Sequence, residues 1–277
     1  LGGKHVGVEL HAWCLTGQRW DMVRNALDGF CYHEDVTDLV QTLRLVKSPA
    51  EQEYVRKSGA LCDEALKALN EAIEPDVDEG LLYSRMSQAI FEGGGDPGAS
   101  RPIIGSGDGA LLVRYFTGRA KVGAQDQVQL EYGAAYRHYH TAIMRTVLTG
   151  VAGDRHKAMH AAGVEALAAC QEVARPGATY HDIYEAHARV VDAHGLKDCR
   201  LNACGYSLSA NFPPSWMEEP MIYPENRTVI EPGHVIFMHM ILVDGPGKLT
   251  MSLGETGIVH GSSFESVSSM PHDLVVK

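Results

Sequence analysis

Residues 127–148 read QVQLEYGAAYRHYHTAIMRTVL and form the most informative stretch of the chain. The pattern predicts two strands, from Gln127 to Tyr132 and from Tyr136 to Leu148, which are unusually polar for strands. Residues two apart in a strand share a face, so His138 and His140 are expected to point the same way. Two imidazoles beside a carboxylate can transfer protons near neutral pH, whereas the alternative is an exposed sheet face that carries His and Arg. These residues alone leave both interpretations open.

Pairs of helices are predicted on both sides of this stretch. The further predicted elements are the helices Glu79 to Glu92, Asp154 to Ala174 and Tyr180 to His194, and the strands Pro102 to Gly105, Leu111 to Tyr115, Val235 to Val243, Leu249 to Leu253 and Gly257 to Val259. The chain therefore runs helix, helix, strands, and then helix, helix, strands again. This order indicates the α+β class rather than alternating βαβ units, and it indicates a structural repeat without sequence identity.

A domain boundary is predicted at the sequence VKSPAE of residues 46–51. Ser48 is a good N-cap, Pro49 suits the first helical position, and Glu51 completes a capping box. Residues 1–45 contain too few apolar groups to bury a core alone, so they are expected to be the end of a preceding domain. Because the chain begins at Leu rather than Met, we expect that the first part of a longer protein is missing.

The composition is that of a globular protein, since 45% of the 277 residues are hydrophobic and 21% are charged. The net charge of −11 disfavours nucleic-acid binding, because phosphate contacts need a basic face. No apolar run reaches the ~20 residues of a membrane span. The six cysteines are dispersed without a C-x-x-C pair, which is typical of a reduced, cytoplasmic protein. We therefore expect a small-molecule substrate and neither nucleic acid nor membrane as a partner.

Several motifs occur in the same order as in one known superfamily. They are the VKSPAE sequence before a helix, the Ile103-Ile104-Gly105-Ser106-Gly107 sequence, the block from Glu131-x-Gly133 to Arg145-Thr146, and Glu231-Pro232-Gly233. The chain resembles, over about residues 40–277, the "pita-bread" superfamily of aminopeptidase P, prolidase, methionine aminopeptidase and creatinase. The resemblance implies a pita-bread fold, in which helices cover a curved antiparallel sheet with a pseudo-twofold repeat. It also implies that residues 1–45 end an N-terminal creatinase-like domain, that residues 46–277 form the catalytic domain, and that the protein is a homodimer.

The metallopeptidases of this superfamily hold two metal ions with two Asp, one His and two Glu. The resemblance places the five positions at Glu131, at Ala142, in the block Gly205-Tyr206-Ser207, at His239, and at Gly254 or, with the register moved by one residue, Glu255. Ala142 and Gly254 have no donor atom, and divalent ions need a defined set of oxygen and nitrogen donors. The sequence therefore predicts no metal site, and no other cofactor is expected.

A branch of the superfamily that works without metal resembles this chain more closely. The sequence TAIMRT of residues 141–146 resembles the Thr-Ala-Leu-x-Arg-Thr form of creatinase. Arg114 stands at the place of creatinase's catalytic His, and Met144 stands at the place of its substrate-binding Glu. Ectoine hydrolases, which open a cyclic amidine, are similar in three features: the Gly205-Tyr206-Ser207 block, the sequence from Phe212-Pro213-Pro214 to Trp216, and the pair Glu255-Thr256.

This resemblance implies a metal-independent hydrolase that acts on a C–N bond of a small cyclic amidine or guanidino-type compound. A carboxylate can hold the cation and activate water, and a histidine can protonate the leaving nitrogen. The predicted catalytic residues are Glu131, His140, His239 and Glu255, and the predicted substrate-binding residues are Arg114, Tyr206, Phe212 and Trp216. Phe212 and Trp216 are expected to stack on a planar cation or, alternatively, to belong to the core.

Two other functions remain open at this stage. One is a metal-dependent Xaa-Pro peptidase with a degenerate site, and the other is a non-catalytic pita-bread protein that binds a ligand. The glycine-rich sequence of residues 105–109 has no following helix and is interpreted as a turn between strands rather than a phosphate loop. Cys204 lies beside the predicted site, but a buried, unactivated cysteine is usually inert.

Overall fold

The computed structural model describes residues 2–277, and the chain divides by its contacts into two compact units, Leu1–Leu45 and Val46–Lys277. The first unit contains two parallel strands, β1 (His5–Val8) and β2 (Tyr32–Asp35), and two helices, α1 (Gly17–Ala26) and α2 (Leu39–Leu43). Neither of these two helices has a fully buried residue among those that the structure describes. The candidate site lies in the second unit.

The second unit is built from helices and one nine-stranded sheet. Its elements are α3 (Pro49–Ala72), α4 (Glu79–Glu92), β3 (Ile103–Ser106), β4 (Asp126–Tyr136), β5 (Tyr139–Thr149), α5 (Asp154–Val173), α6 (Tyr180–Ala193), β6 (Gly205–Ser207), β7 (Glu218–Met221), β8 (Val235–Asp244), β9 (Leu249–Val259), β10 (Phe264–Ser266) and β11 (Val275–Val276). The strand order is β3-β4-β5-β9-β8-β6-β7, with antiparallel neighbours throughout; β10 also pairs with β9, and β11 with β5.

Two similar halves meet in the middle of this sheet. The first half is α3, α4 and then β3 to β5, and the second half is α5, α6 and then the strands up to β9. The halves join where β5 pairs with β9, so corresponding strands lie on opposite sides of that junction. The predicted α+β class and the predicted repeat are confirmed.

The helices cover one face of the sheet. Alternate residues of β4, Val128, Leu130 and Tyr132, are buried against the α3–α4 pair, and the α5–α6 pair covers β8 and β9 in the same way. The residues between them, such as Gln129 and Glu131, consequently lie on the opposite, open face of the sheet. That face is also largely buried, so the polar residues that β4 carries on it lie in the interior of the protein.

Helix α3 begins where the sequence predicts. The side chain of Ser48 accepts a hydrogen bond from the Glu51 N–H, and the Glu51 carboxylate accepts one from the Ser48 N–H at 2.7 Å. The other oxygen of Glu51 accepts a hydrogen bond from the Tyr139 hydroxyl at 2.6 Å, which fastens the start of the helix to β5. The predicted helix from Glu79 to Glu92 is likewise confirmed.

Three strand predictions are corrected. The predicted strand from Tyr136 is interrupted, because Arg137 and His138 have φ values of +52° and +68° and form the two-residue turn between β4 and β5. Residues 111–115 are not a strand: Leu111 ends a short 3₁₀ helix (Gly107–Leu111), and the residues after it are irregular. The last two predicted strands are parts of the single strand β9.

Within residues 2–277, the helices are too short or too polar to cross a membrane.

We predict that Ser48→Ala lowers the free energy of unfolding by about 1 kcal/mol, because the N-cap hydrogen bond of α3 is lost. Chemical denaturation of both proteins measures the difference. Ser84→Ala is the control, since Ser84 is an exposed residue in the interior of α4 and caps no helix. Equal losses in both variants would contradict the assigned cap.

Candidate active site

Four residues form a row across the open face of the sheet. Glu131 on β4 is paired with Met144 on β5, Met144 is paired with Gly254 on β9, and Gly254 is paired with His239 on β8. Directly opposite residues of antiparallel strands point to the same face. The row therefore brings a carboxyl group from one half of the fold and an imidazole from the other half to one side of the sheet.

A cavity of about 130 Å³ lies over this row. Its polar lining residues are Arg114, Glu131, Tyr206 and His239, and the others are Val113, Met144, Leu201, Ala203, Met217, Met221 and Ile241. This volume corresponds to about four water molecules at the density of the liquid, well below that of a site for a drug-sized ligand. The arrangement suits a compact substrate with a few polar groups.

Glu131 is only 6% exposed, and its environment changes its acidity. Burial raises the pKa of Glu131 to about 7, because water no longer stabilises the charged form, while the charge of Arg114 and a hydrogen bond from Tyr206 act in the opposite direction. The Tyr206 hydroxyl itself accepts a hydrogen bond from Trp216 Nε1 at 2.9 Å. A carboxyl group with this pKa can both take up and release a proton near neutral pH.

His239 is a neutral partner in the same cavity. Burial lowers the pKa of His239 to about 3, so the imidazole carries no charge at neutral pH. Its Nδ1 atom is buried and has no hydrogen-bond partner within residues 2–277. His239 lines the cavity as an uncharged imidazole, and Glu131 is the better proton carrier of the two.

Glu255 does not join this site, which corrects the expected convergence of two carboxylates. It follows Gly254 in β9 and therefore lies on the helix-covered face of the sheet. Its carboxylate forms a buried ion pair with Arg145, accepts a hydrogen bond from the Ser266 hydroxyl at 2.6 Å, and lies 3.1 Å from His272 Nε2. Burial alone would raise the pKa of Glu255, but the His272 hydrogen bond and the Arg145 charge hold it below its ordinary value.

His140 also lies outside the cavity. It is buried, and its Nε2 atom accepts a hydrogen bond from the Ala99 N–H at 2.9 Å. Burial lowers the pKa of His140 to about 4, so it is neutral at neutral pH. The expected proximity of His140 to Glu131 at one site is corrected, because the strand carries it to a different part of the sheet.

The two predicted stacking aromatics do not line the cavity either. Phe212 is 60% exposed and packs against the His138 ring at a centroid distance of 4.4 Å. Trp216 is buried behind Tyr206, to which it donates its hydrogen bond. The structure thus brings together Arg114, Glu131, Tyr206 and His239 around the cavity. The other four predicted residues do not line it, although Trp216 contacts Tyr206 from behind.

The apolar wall of the cavity is the part that sequence reasoning missed. Met217 and Met221 come from the segment that follows the Phe-Pro-Pro sequence, and Leu201 and Ala203 precede β6. These residues have no motif of their own, so only the folding of their segments over the sheet identifies them.

The residues present do not fit a dinuclear metal centre. Ala142 and Gly254 supply no donor, and a Cβ atom at position 254 would lie 2.7 Å from the Phe237 ring, so that ring fills the space that a longer side chain would need. The Arg114 guanidinium at the same cavity opposes a divalent cation. Within residues 2–277, no group of three or more His, Cys, Asp or Glu side chains is arranged to hold a metal ion.

The curled antiparallel sheet, its two helix-covered halves and the central cavity define a pita-bread protein. The chain belongs to metallopeptidase family M24, whose sequence profile matches residues 53–266. The predicted superfamily and fold are therefore confirmed.

Three similar proteins illustrate the range of the family. The chain is 27% identical to ectoine hydrolase of Halomonas elongata, with 98% of this chain and 70% of that protein covered. It is 24% identical to a Xaa-Pro dipeptidase of Pyrococcus furiosus, with 73% of this chain and 57% of that protein covered. The solved structure of a Xaa-Pro dipeptidase from Bacillus anthracis superposes with a TM-score of 0.91 at 21% identity, covering 99% of this chain and 75% of that one.

We predict that the purified protein contains less than one transition-metal ion per chain, because Ala142 and Gly254 have no donor atom and Tyr206 stands where the family has a histidine. Elemental analysis of the protein before and after treatment with a chelator measures the content. Two tightly held metal ions per chain, lost together with activity, would contradict the donor set described above.

A second prediction concerns stability and pH. The folded state favours the protonated form of Glu131, so this contribution to stability is complete below the ordinary pKa of 4.5 and is lost as the pH rises through about 7. Glu131→Gln mimics the protonated form at every pH. We expect the unfolding free energy of the variant, relative to that of the natural protein, to rise by on the order of 2–3 kcal/mol between pH 5 and pH 8. Denaturant titrations at both pH values test this, and a difference that does not change with pH would place Glu131 in a hydrated environment.

Proposed function

We propose that this chain is a metal-independent hydrolase that cleaves a C–N bond of a small cyclic amidine or guanidino-type compound. The observation that carries the proposal is the buried Glu131 carboxyl group, whose pKa of about 7 lies at the working pH of a general acid and base. It faces a compact cavity together with a neutral imidazole, a phenol and a guanidinium. Membership of the M24 family supports hydrolysis, and the relative named ectoine hydrolase supports the substrate class.

The chemistry requires one proton carrier and an electrophilic carbon. In its ionised form, Glu131 accepts a proton from a water molecule while the water oxygen forms a bond to the amidine or guanidinium carbon. The protonated Glu131 then delivers that proton to the leaving nitrogen as the C–N bond breaks. The new hydroxyl group on the carbon becomes the carbonyl, and its proton also passes to the departing amine, so water supplies the oxygen to the carbonyl product and both hydrogens to the amine. Tyr206 holds the carboxyl group in place through its hydrogen bond, and the His239 imidazole lines the same cavity.

The cationic character of such a substrate also suits the electrostatics of the cavity. An ionised carboxylate with little access to water is unstable unless a cation or a donor meets it. Arg114 supplies part of that compensation from the rim of the cavity, where its Nη2 atom lies 3.3 Å from the Met217 sulfur. A bound amidinium supplies the rest, and its binding then favours the ionised, water-activating form of Glu131.

A Xaa-Pro peptidase is the second candidate, since relatives that carry this name match most of the chain. The metal-donor set argues against it, because the positions at 142 and 254 lack ligands and Phe237 fills the space beside Gly254. A non-catalytic binding protein is the third candidate, and turnover distinguishes it from the other two.

The first experiment identifies the class of ligand. We expect thermal stabilisation by members of a panel of small cyclic amidines, including ectoine, and guanidino acids, with hydrolysis that persists in the presence of a chelator. Xaa-Pro dipeptides, tested with and without added manganese, serve as the comparison. Hydrolysis of the dipeptides alone, dependent on added metal, would support the peptidase; binding without turnover would support the binding protein.

We predict that Glu131→Gln reduces turnover of the identified substrate by roughly 10²-fold or more, because the amide cannot accept or return the proton. Steady-state kinetics measure the effect. Glu255→Gln is the matched control: it removes an equally buried carboxylate from the opposite face, so it should lower stability through the Arg145 ion pair while the fraction that remains folded keeps its kcat. Near-natural kcat and KM in Glu131→Gln would show that Glu131 is structural.

A further inference from the structure

One buried glutamate forms hydrogen bonds with both ends of a loop beside the cavity. Glu79 is the first residue of α4 and is completely buried. Its carboxylate accepts four hydrogen bonds: from the N–H and the hydroxyl of Ser106 at 2.8 and 2.9 Å, from the Tyr115 hydroxyl at 2.9 Å, and from the Gly118 N–H at 3.0 Å. Both ends of the segment 106–118 are therefore attached to the same side chain.

This segment carries residues of the cavity. Val113 and Arg114 line the cavity, and Arg114 immediately precedes Tyr115, whose hydroxyl is bound to Glu79. Residues 112–118 form neither a helix nor a strand, so Arg114 is not fixed by regular secondary structure. The place of the guanidinium thus depends on how its neighbour Tyr115 is held.

The glycine-rich turn provides the space for the Tyr115 ring. A Cβ atom at Gly105 would lie 2.9 Å from Tyr115 Cδ1, and one at Gly109 would lie 3.0 Å from Tyr115 Cζ. Side chains at either position would therefore push the ring away from Glu79. The glycines of this turn, which bind no phosphate in our interpretation, allow the ring to lie flat against the backbone.

We propose that Glu79 is a positioning residue: through Tyr115 it holds Arg114 at the rim of the cavity and so determines the charge that Glu131 meets. The inference rests on the proposed role of Glu131 as the proton carrier. Glu79 itself does not line the cavity and touches no reacting atom. Its effect on the reaction is exerted entirely through the position of Arg114.

The other groups that face Glu131 are held independently of this segment. The polar side chains around the Glu131 carboxyl group are Arg114, Tyr206 and His239, and the last two belong to the paired strands β6 and β8. The charge of Arg114 lowers the pKa of Glu131, so a looser Arg114 leaves the effect of burial less opposed. Loss of the Glu79 anchor should therefore raise the pKa of Glu131 further.

The test uses the full chain without any substrate. The variants are Tyr115→Phe, which keeps the ring but removes its hydroxyl, and Glu79→Gln. Carboxyl ¹³C NMR titration follows Glu131, identified by the signal that Glu131→Gln lacks, and amide hydrogen exchange follows residues 107–118. We expect faster exchange in this segment and a Glu131 midpoint that rises by about half a pH unit or more.

Tyr184→Phe is the matched control. It removes a buried tyrosine hydroxyl that accepts a hydrogen bond from Arg200 at 2.7 Å, on helix α6, which contributes no residue to the cavity, and it should leave the Glu131 midpoint unchanged. If exchange becomes faster while the midpoint stays the same, Glu79 only stabilises the segment and the proposal is wrong. Unchanged exchange in both variants also overturns it.

Two features keep the test decisive. If Glu79→Gln does not fold, Tyr115→Phe alone decides, since its ring packing is preserved. The titration requires no turnover, so its outcome is independent of the proposed hydrolysis. The proposed hydrolysis is contradicted by a different result, full activity of the Glu131→Gln variant.

Discussion

The pairing of β5 with β9 is the constraint on which the arrangement of this protein depends. It joins the two halves through the pairs Met144–Gly254 and Arg145–Leu253. One set of alternate residues from these strands faces the cavity, and the other set, with Arg145 and Glu255, faces the helices. A slip of one residue would exchange the two sets, because side chains in a strand alternate between faces. The buried Arg145–Glu255 ion pair opposes such a slip, since it would separate the two charges.

The open face has apolar atoms at a position where the metallopeptidases it resembles have a ligand. Gly254 has no side chain, and the Phe237 ring occupies the adjoining space, so the vacated volume is filled with apolar atoms. Glu131 remains in this less polar surrounding, which is the main reason for its raised pKa. Burial outweighs the charge of Arg114 and the hydrogen bond from Tyr206, so the carboxyl group titrates near neutrality.

The main elements could be predicted from the sequence because their signals are local. The capping box at Ser48 and the glycines after Glu92 mark helix ends through contacts within a few residues. The candidate site was predicted in part: Glu131, Tyr206, His239 and Arg114 stand at family positions and do line the cavity. His140 and Glu255 do not line it, for two different reasons: His140 shares a face with Met144 but lies further along β5, whereas Glu255 lies on the helix-covered face. The place of Glu255 depends on the pairing of β5 with β9, which are distant in the sequence, so no local pattern reveals it.

The row of residues under the cavity and the apolar wall around it belong to different kinds of structure. Glu131, Met144 and His239 are held in a rigid sheet, whereas Leu201, Ala203 and Met217 lie in irregular segments that cross above it. Loops tolerate substitution and insertion far better than paired strands do. In evolution, the volume and shape offered to a ligand can therefore change without disturbing the proton-carrying group. The same division makes the wall the place where a protein engineer would begin to alter selectivity, and the unbranched methionines in it give such changes room to adjust.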